Sequence, residues 1–137
     1  MKYPALLLLI LTGISCSKDQ EGRIPDVAVN FRASLNDPRI NQINNAGGAV
    51  AISGYGVSGL ILYNTGTRIV AYDRCSSVNP QQACAVNIDN PTLTATDPCS
   101  GAKFSLNDGT PVKAPAKRPL KQYLVSIINN FEIAVTN

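Results

Sequence analysis

The chain has 137 residues, 12 lysines and arginines against 9 acidic side chains, a net charge of +3, four cysteines and no histidine. It has no basic block and no aromatic–basic interleaving, which excludes the electrostatic footprint of a nucleic-acid binder. Without an imidazole it also lacks the usual general base and the usual nitrogen ligand for a metal. At this length the chain forms one domain with a single core of ordinary size.

In chain order, Met1-Lys2-Tyr3-Pro4 is followed by an apolar run from Ala5 to Leu11, and Thr12-Gly13-Ile14-Ser15 then leads to Cys16. A charged start, a short apolar run and small residues before a cut site describe a secretory signal peptide. The run is too short to span a bilayer. The segment resembles the bacterial lipobox, with Gly13 where Leu or Val is usual. An unpaired exposed thiol at a mature N-terminus would otherwise be a liability. The expectation is a signal peptide over 1–15, a lipid on Cys16, a polar tether over 16–26 and a β domain over 27–137. The membrane is then met through the N-terminal lipid. Ser17-Lys18-Asp19-Gln20-Glu21 resembles the charged segments that direct some lipoproteins to the outer membrane or cell surface.

Beyond the tether, helix signals are poor. Nine prolines and ten glycines interrupt the chain, and no window repeats apolar residues at helical spacing. One short helix is expected over Pro38 to Asn44, with Asp37 as N-cap. Strand signals recur instead. Val27 to Arg32 alternates, and Ala49 to Ile52 follows the Gly47-Gly48 turn. Gly59 to Tyr63 and Arg68 to Tyr72 flank Asn64-Thr65-Gly66-Thr67. Ala83 to Ile88 and Thr92 to Thr96 flank Asp89-Asn90-Pro91. Lys103 to Leu106 precedes Asn107-Asp108-Gly109, and Tyr123 to Ile128 and Phe131 to Val135 flank Asn129-Asn130. Short strands separated by Gly, Pro and Asn turns predict an all-β sandwich or barrel.

With Cys16 lipidated, Cys75, Cys84 and Cys99 remain, so one is left over from internal pairing. If the hairpin turns at Asn90, Cys84 and Cys99 come close together. A bridge there closes a loop of about 15 residues and stabilises by roughly 3 kcal/mol on the chain-entropy account. Cys75 is then the odd thiol, with Arg74 beside it as a group able to lower its pKa. Cys75, Cys84, Cys99 and Asp97 together would offer a Cys₃Asp set for iron–sulfur or zinc. In an exported protein a disulfide plus a leftover thiol is the favoured account.

Cys75-Ser76-Ser77, Cys84, Asp97-Pro98-Cys99-Ser100-Gly101-Ala102-Lys103-Phe104, Asp108-Gly109 and Ala114-Pro115-Ala116-Lys117-Arg118-Pro119-Leu120 together resemble a Rieske domain, over roughly residues 50 to 128. That family holds a [2Fe–2S] cluster between a Cys-x-His loop and a Cys-Pro-Cys-His-Gly-Ser loop, with a Gly-Pro-Ala-x-x-x-Leu segment over it. The resemblance sets Cys75 and Asp97 at the thiolate ligand positions, Ser77 and Ser100 at the histidine positions, and Cys84 and Cys99 at a disulfide. It implies an antiparallel all-β fold with a small inserted subdomain. Asn45-Ala46-Gly47-Gly48 and Gly54 to Gly59 also look like exported lipoproteins that carry this domain. The departure lies in the ligands: a Rieske centre needs two thiolates and two imidazoles, and this chain keeps one thiolate and no imidazole.

The resulting expectation is a degenerate Rieske-like lipoprotein with no bound cofactor and no metal. It is not an enzyme but a binding or assembly component that meets an envelope protein and no nucleic acid. The competing expectation is electron transfer through a non-standard iron–sulfur site, or redox chemistry at the Cys75 thiol. Lys117, Arg118 and Lys121 form a small basic cluster beside Pro119, read as solvated surface or as a contact for an acidic partner.

Overall fold

A computed structural model describes residues 22–137, so the signal segment and Cys16 lie outside the described residues. Ten strands follow: β1 (Asn30–Ser34), β2 (Ala49–Ile52), β3 (Leu60–Asn64), β4 (Ile69–Asp73), β5 (Asn87–Ile88), β6 (Thr94–Thr96), β7 (Lys103–Ser105), β8 (Pro111–Lys113), β9 (Gln122–Ile128) and β10 (Glu132–Thr136). They form two antiparallel sheets. The larger runs β1-β10-β9-β4-β3-β2 and the smaller β5-β6-β7-β8. The whole smaller sheet is inserted between β4 and β9, which are neighbours in the larger one. The all-β expectation with an inserted subdomain therefore holds.

The apolar runs of β3 and β4 have a simple cause. Successive strand residues face opposite sides, and both sides of these strands are covered. Leu60, Leu62 and Ala71 join Phe31, Ile40, Ile43, Tyr123 and Ile133 on one face. Ile61, Tyr63, Val70 and Tyr72 join Val86, Phe104, Leu106 and Leu120 under the inserted sheet. The two cores share one pair of strands, so the insertion is packed on the larger sheet rather than hanging from it. Tyr72 locks the two layers with a hydroxyl that donates to the Leu106 carbonyl at 3.1 Å. Burial pushes its pKa up to about 12, which keeps that donor protonated at any physiological pH.

Three expectations shift. The helix over Pro38 to Asn44 is a single 3-10 turn over Asn41–Asn44. The Asp37 carboxylate is spent locally on the Arg39 amide and guanidinium, and the Asn-rich stretch offers no apolar stripe to extend the helix. The strand predicted over Ala83 to Ile88 divides. Residues 84–86 pair with 74–76, through Ser76 N–H to the Cys84 carbonyl at 2.8 Å and Val86 N–H to the Arg74 carbonyl at 2.7 Å, which leaves only Asn87–Ile88 for the inserted sheet. The first strand begins at Asn30, because the Asn137 side chain takes the backbone of Val27 and Val29.

β4 ends in Asp73, a fully buried carboxylate. Its Oδ1 accepts from the Cys75 amide at 2.8 Å and the Ser58 amide at 3.1 Å, and its Oδ2 from the Val57 amide and the Tyr123 hydroxyl, each at 2.7 Å. This node roots the insertion, and it needs a backbone without Cβ at Gly56. That residue has φ +64°, and a Cβ there would strike Asp73 Oδ2 and the Tyr123 hydroxyl. Gly54 also has positive φ, at +90°, but open space around it. Gly54→Ala should lower the unfolding free energy by about 1 kcal/mol, from conformation alone. Gly56→Ala should cost about 3 kcal/mol. Urea denaturation of the two variants checks this, and equal losses would show that the node has room for a methyl group.

Candidate functional site

The end of the domain beyond β4 is built from three loops. The first runs over 74–86, the second over 97–102 between β6 and β7, and the third over 114–120 before β9. The cysteines and the positions that the resemblance sets at cluster ligands, apart from the lipidation site Cys16, lie in the first two, and the basic cluster of Lys117, Arg118 and Lys121 lies in and beside the third.

Cys84 and Cys99 are joined as a disulfide with Cα atoms 6.4 Å apart, which bolts the first loop to the second. Cys75 is free and fully buried. Its thiol points at the carbonyls of Ser76 and Pro80, at 3.6 and 3.7 Å. Burial pushes the thiol pKa up, and the carboxylates of Asp73 and Asp97 push the same way. Arg74 does not activate it as expected. Its guanidinium is held by the Val86 carbonyl and the Asn87 side chain, at 3.1 and 3.2 Å.

Asp97 is also fully buried. Its Oδ2 accepts the Ser76 hydroxyl at 2.7 Å and the Ser100 hydroxyl at 2.6 Å, and its Oδ1 accepts the Cys99 amide at 2.8 Å. Both hydroxyls accept in turn, Ser76 Oγ from the Val78 amide at 3.1 Å and Ser100 Oγ from the Ala102 amide at 3.2 Å. One carboxylate therefore closes the second loop and ties it to the first. Burial raises its pKa, but the hydroxyls of Ser100 and Ser76 with the amides of Cys99 and Ser100 outweigh that and hold it below the ordinary value. Ser77 reaches the third loop, donating to the Arg118 carbonyl at 2.6 Å.

The four positions assigned to cluster ligands are thus occupied by internal bonds. Cys75 and Ser77 donate to backbone carbonyls, and Asp97 and Ser100 bond each other. Among the described residues no buried side-chain nitrogen or oxygen lacks a partner. Facing ligand atoms do gather at Cys84, Asp97 and Cys99, within 4.8 Å of one another. The disulfide consumes both sulfurs there, and Cys75 is not in the group, so the Cys₃Asp set is not assembled. These residues do not fit a Rieske [2Fe–2S] cluster, which takes two thiolates on one iron and two imidazoles on the other.

Ser76 stands at the centre of this network, although in the sequence it is only the residue beside Cys75. No local signal marks it, because its partner lies 21 residues away. Beside the first and third loops the surface opens into a cleft of about 770 Å³, lined among others by Arg23, Ile24, Pro80, Arg118, Leu120 and Lys121.

Asp97→Asn should cost about 3 kcal/mol of stability at neutral pH, since a buried acceptor of several donors is removed. The folded carboxyl titrates below its unfolded value. The stabilisation it contributes is therefore full above the ordinary carboxylate pKa near ~4 and is lost as pH falls through the lower folded value. Urea midpoints at neutral and acid pH should show the gap between wild type and variant narrowing on acidification. A gap independent of pH would refute an ionised Asp97 as the tie.

No protein-family model matches the chain, and no curated protein is significantly similar to it in sequence. Among solved structures it is similar to the plasma-membrane Rieske protein PetC3 of the cyanobacterium Synechocystis PCC 6803, 21% identical with a TM-score of 0.51. That match covers 82% of this chain and 99% of the other. It is also similar to a chain from the complex of reduced oxygenase and oxidized ferredoxin in carbazole 1,9a-dioxygenase, 17% identical with a TM-score of 0.53, covering 79% of this chain and 93% of that one. At these identities the likeness is one of architecture, and it agrees with the inserted sheet and the loop pair described above: the chain has a Rieske-like fold.

Proposed function

We propose that the chain is an exported bacterial lipoprotein, held in the cell envelope by a lipid on Cys16, whose Rieske-like domain serves without a cluster as a non-catalytic binding or assembly component. The observation that carries this reading is the Ser76–Asp97–Ser100 bridge. Where the fold would place a metal between two loops, this chain places a carboxylate shared by one hydroxyl from each loop. An enzyme or electron carrier of this fold would need a group that changes charge or valence at the loop end. Here the carboxylates are spent on hydrogen bonds, two cysteines are bridged, and the third is buried with a raised pKa. What remains at the loop end is a rigid, three-way braced surface beside an open cleft, the kind of surface a binding module presents.

The test is a spectrum and two counts on the full chain extracted from membranes. The expected protein is colourless, with less than about one iron per ten chains and none of the charge-transfer absorption a Rieske centre gives. Thiol reagent should find no reactive cysteine in the native protein and one, Cys75, after denaturation. Stoichiometric iron with visible bands would overturn the cluster-free reading. A second thiol in the denatured chain would overturn lipidation of Cys16.

A further inference from the structure

We infer that the loop end of the domain lies against anionic lipid headgroups, with the cleft between the first and third loops facing the bilayer. The inference rests on the lipid-anchored reading above and adds an orientation and a ligand chemistry to it.

Residues 22–26, which the sequence assigns to the tether, are packed on the loop end. Gly22 sits against the Arg118 side chain and the Ser77 carbonyl. Ile24 is buried. Lys121 donates to the Pro25 carbonyl at 3.4 Å and pairs with the Asp26 carboxylate. Further along, the Asn137 side chain holds Val27 and Val29. The segment is thus fastened from the third loop to the start of β1, and its upstream end emerges beside the cleft.

Only five residues, 17–21, separate Cys16 from Gly22, so the six steps between them reach at most ~22 Å. A lipid on Cys16 would therefore keep the loop end within that distance of the membrane surface. The turn between β3 and β4 lies a further ~17 Å away along β4. The loop end is also where charge is concentrated. Arg23, Lys117, Arg118 and Lys121 stand there with Asp26 as the only acidic partner in residues 22–26 and 114–121. Adding Arg74 and the buried carboxylates of Asp73 and Asp97 still leaves five cations to three anions. The far turn, Asn64-Thr65-Gly66-Thr67, carries no charge before Arg68. A cationic cleft whose lining also presents exposed Pro25 and Pro119 matches phosphate headgroups beside glycerol carbons. Such attraction acts only within about a Debye length of the surface, ~10 Å, an approach that the short tether permits and the basic side chains would favour.

The test uses the full lipidated chain in vesicles of phosphatidylglycerol and phosphatidylcholine that carry a headgroup quencher. A fluorophore is attached at Gln81→Cys on the first loop or at Thr67→Cys on the far turn, both exposed positions, with Cys75 buried and silent. Quenching at position 81 should exceed that at 67 at least about three-fold, and Lys117→Glu with Arg118→Glu should bring the ratio near one. Equal or reversed quenching, or a ratio that ignores the charge reversal, would overturn the inference. So would equal quenching accompanied by capture of an acidic peptide such as polyglutamate in the cleft. Mass spectrometry of the same sample separates the two failures. A chain without a diacylglyceryl mass on Cys16 sinks the anchored reading and the orientation with it, while a lipidated chain with equal quenching sinks the orientation alone.

Discussion

The carboxylate of Asp97 is the constraint on which the loop end depends. It is fully buried, it is held ionised by two hydroxyls and backbone amides, and it lies where two separate loops must meet. A buried charge is tolerable only when its lone pairs are satisfied, and here the donors come from both loops. The cost of leaving the carboxylate unpaired thus becomes the force that keeps the loops together. A metal centre does the same by drawing ligands from two loops onto one site. A hydrogen-bonded carboxylate gives up redox chemistry and keeps the bracing.

Two further ties make the bracing redundant. The Cys84–Cys99 disulfide joins the same two loops covalently, and Ser77 fastens the first loop to the third. At the root of the insertion Asp73 repeats the device of Asp97, a buried carboxylate that collects amides and a hydroxyl from neighbouring segments. The negative charge of the two aspartates adds to burial in keeping the Cys75 thiol protonated. The carboxylates that stabilise the loops therefore add to the burial that silences the one free cysteine among the described residues.

Much of the fold was legible because its signals are local. The hairpins around Asn64 to Thr67 and Asn129-Asn130 were readable from turn chemistry, and the second shows positive φ at both asparagines, 51° and 63°. The apolar runs of β3 and β4 marked strands, and their cover on both faces is visible only in the packing. What could not be read depends on contacts between distant residues. The strand over Ala83 to Ile88 divides because 84–86 pair with 74–76, and the short β8 has too few residues to show a pattern. At the loop end the absence of histidine excluded the Rieske cluster from composition alone. The partner of Ser76 and the packing of residues 22–26 against Arg118 and Lys121 exist only in three dimensions.

Amide hydrogen exchange of the metal-free protein, with the disulfide intact and a chelator present, tests most directly whether hydrogen bonds hold the loops in place of a metal. The amides of Val78, Cys99 and Ala102 report on the Ser76–Asp97–Ser100 bridge. The account predicts that all three exchange nearly as slowly as the central amides of β3 and β4, and that added iron changes nothing. Fast exchange at these amides that slows only when a metal is supplied would contradict it.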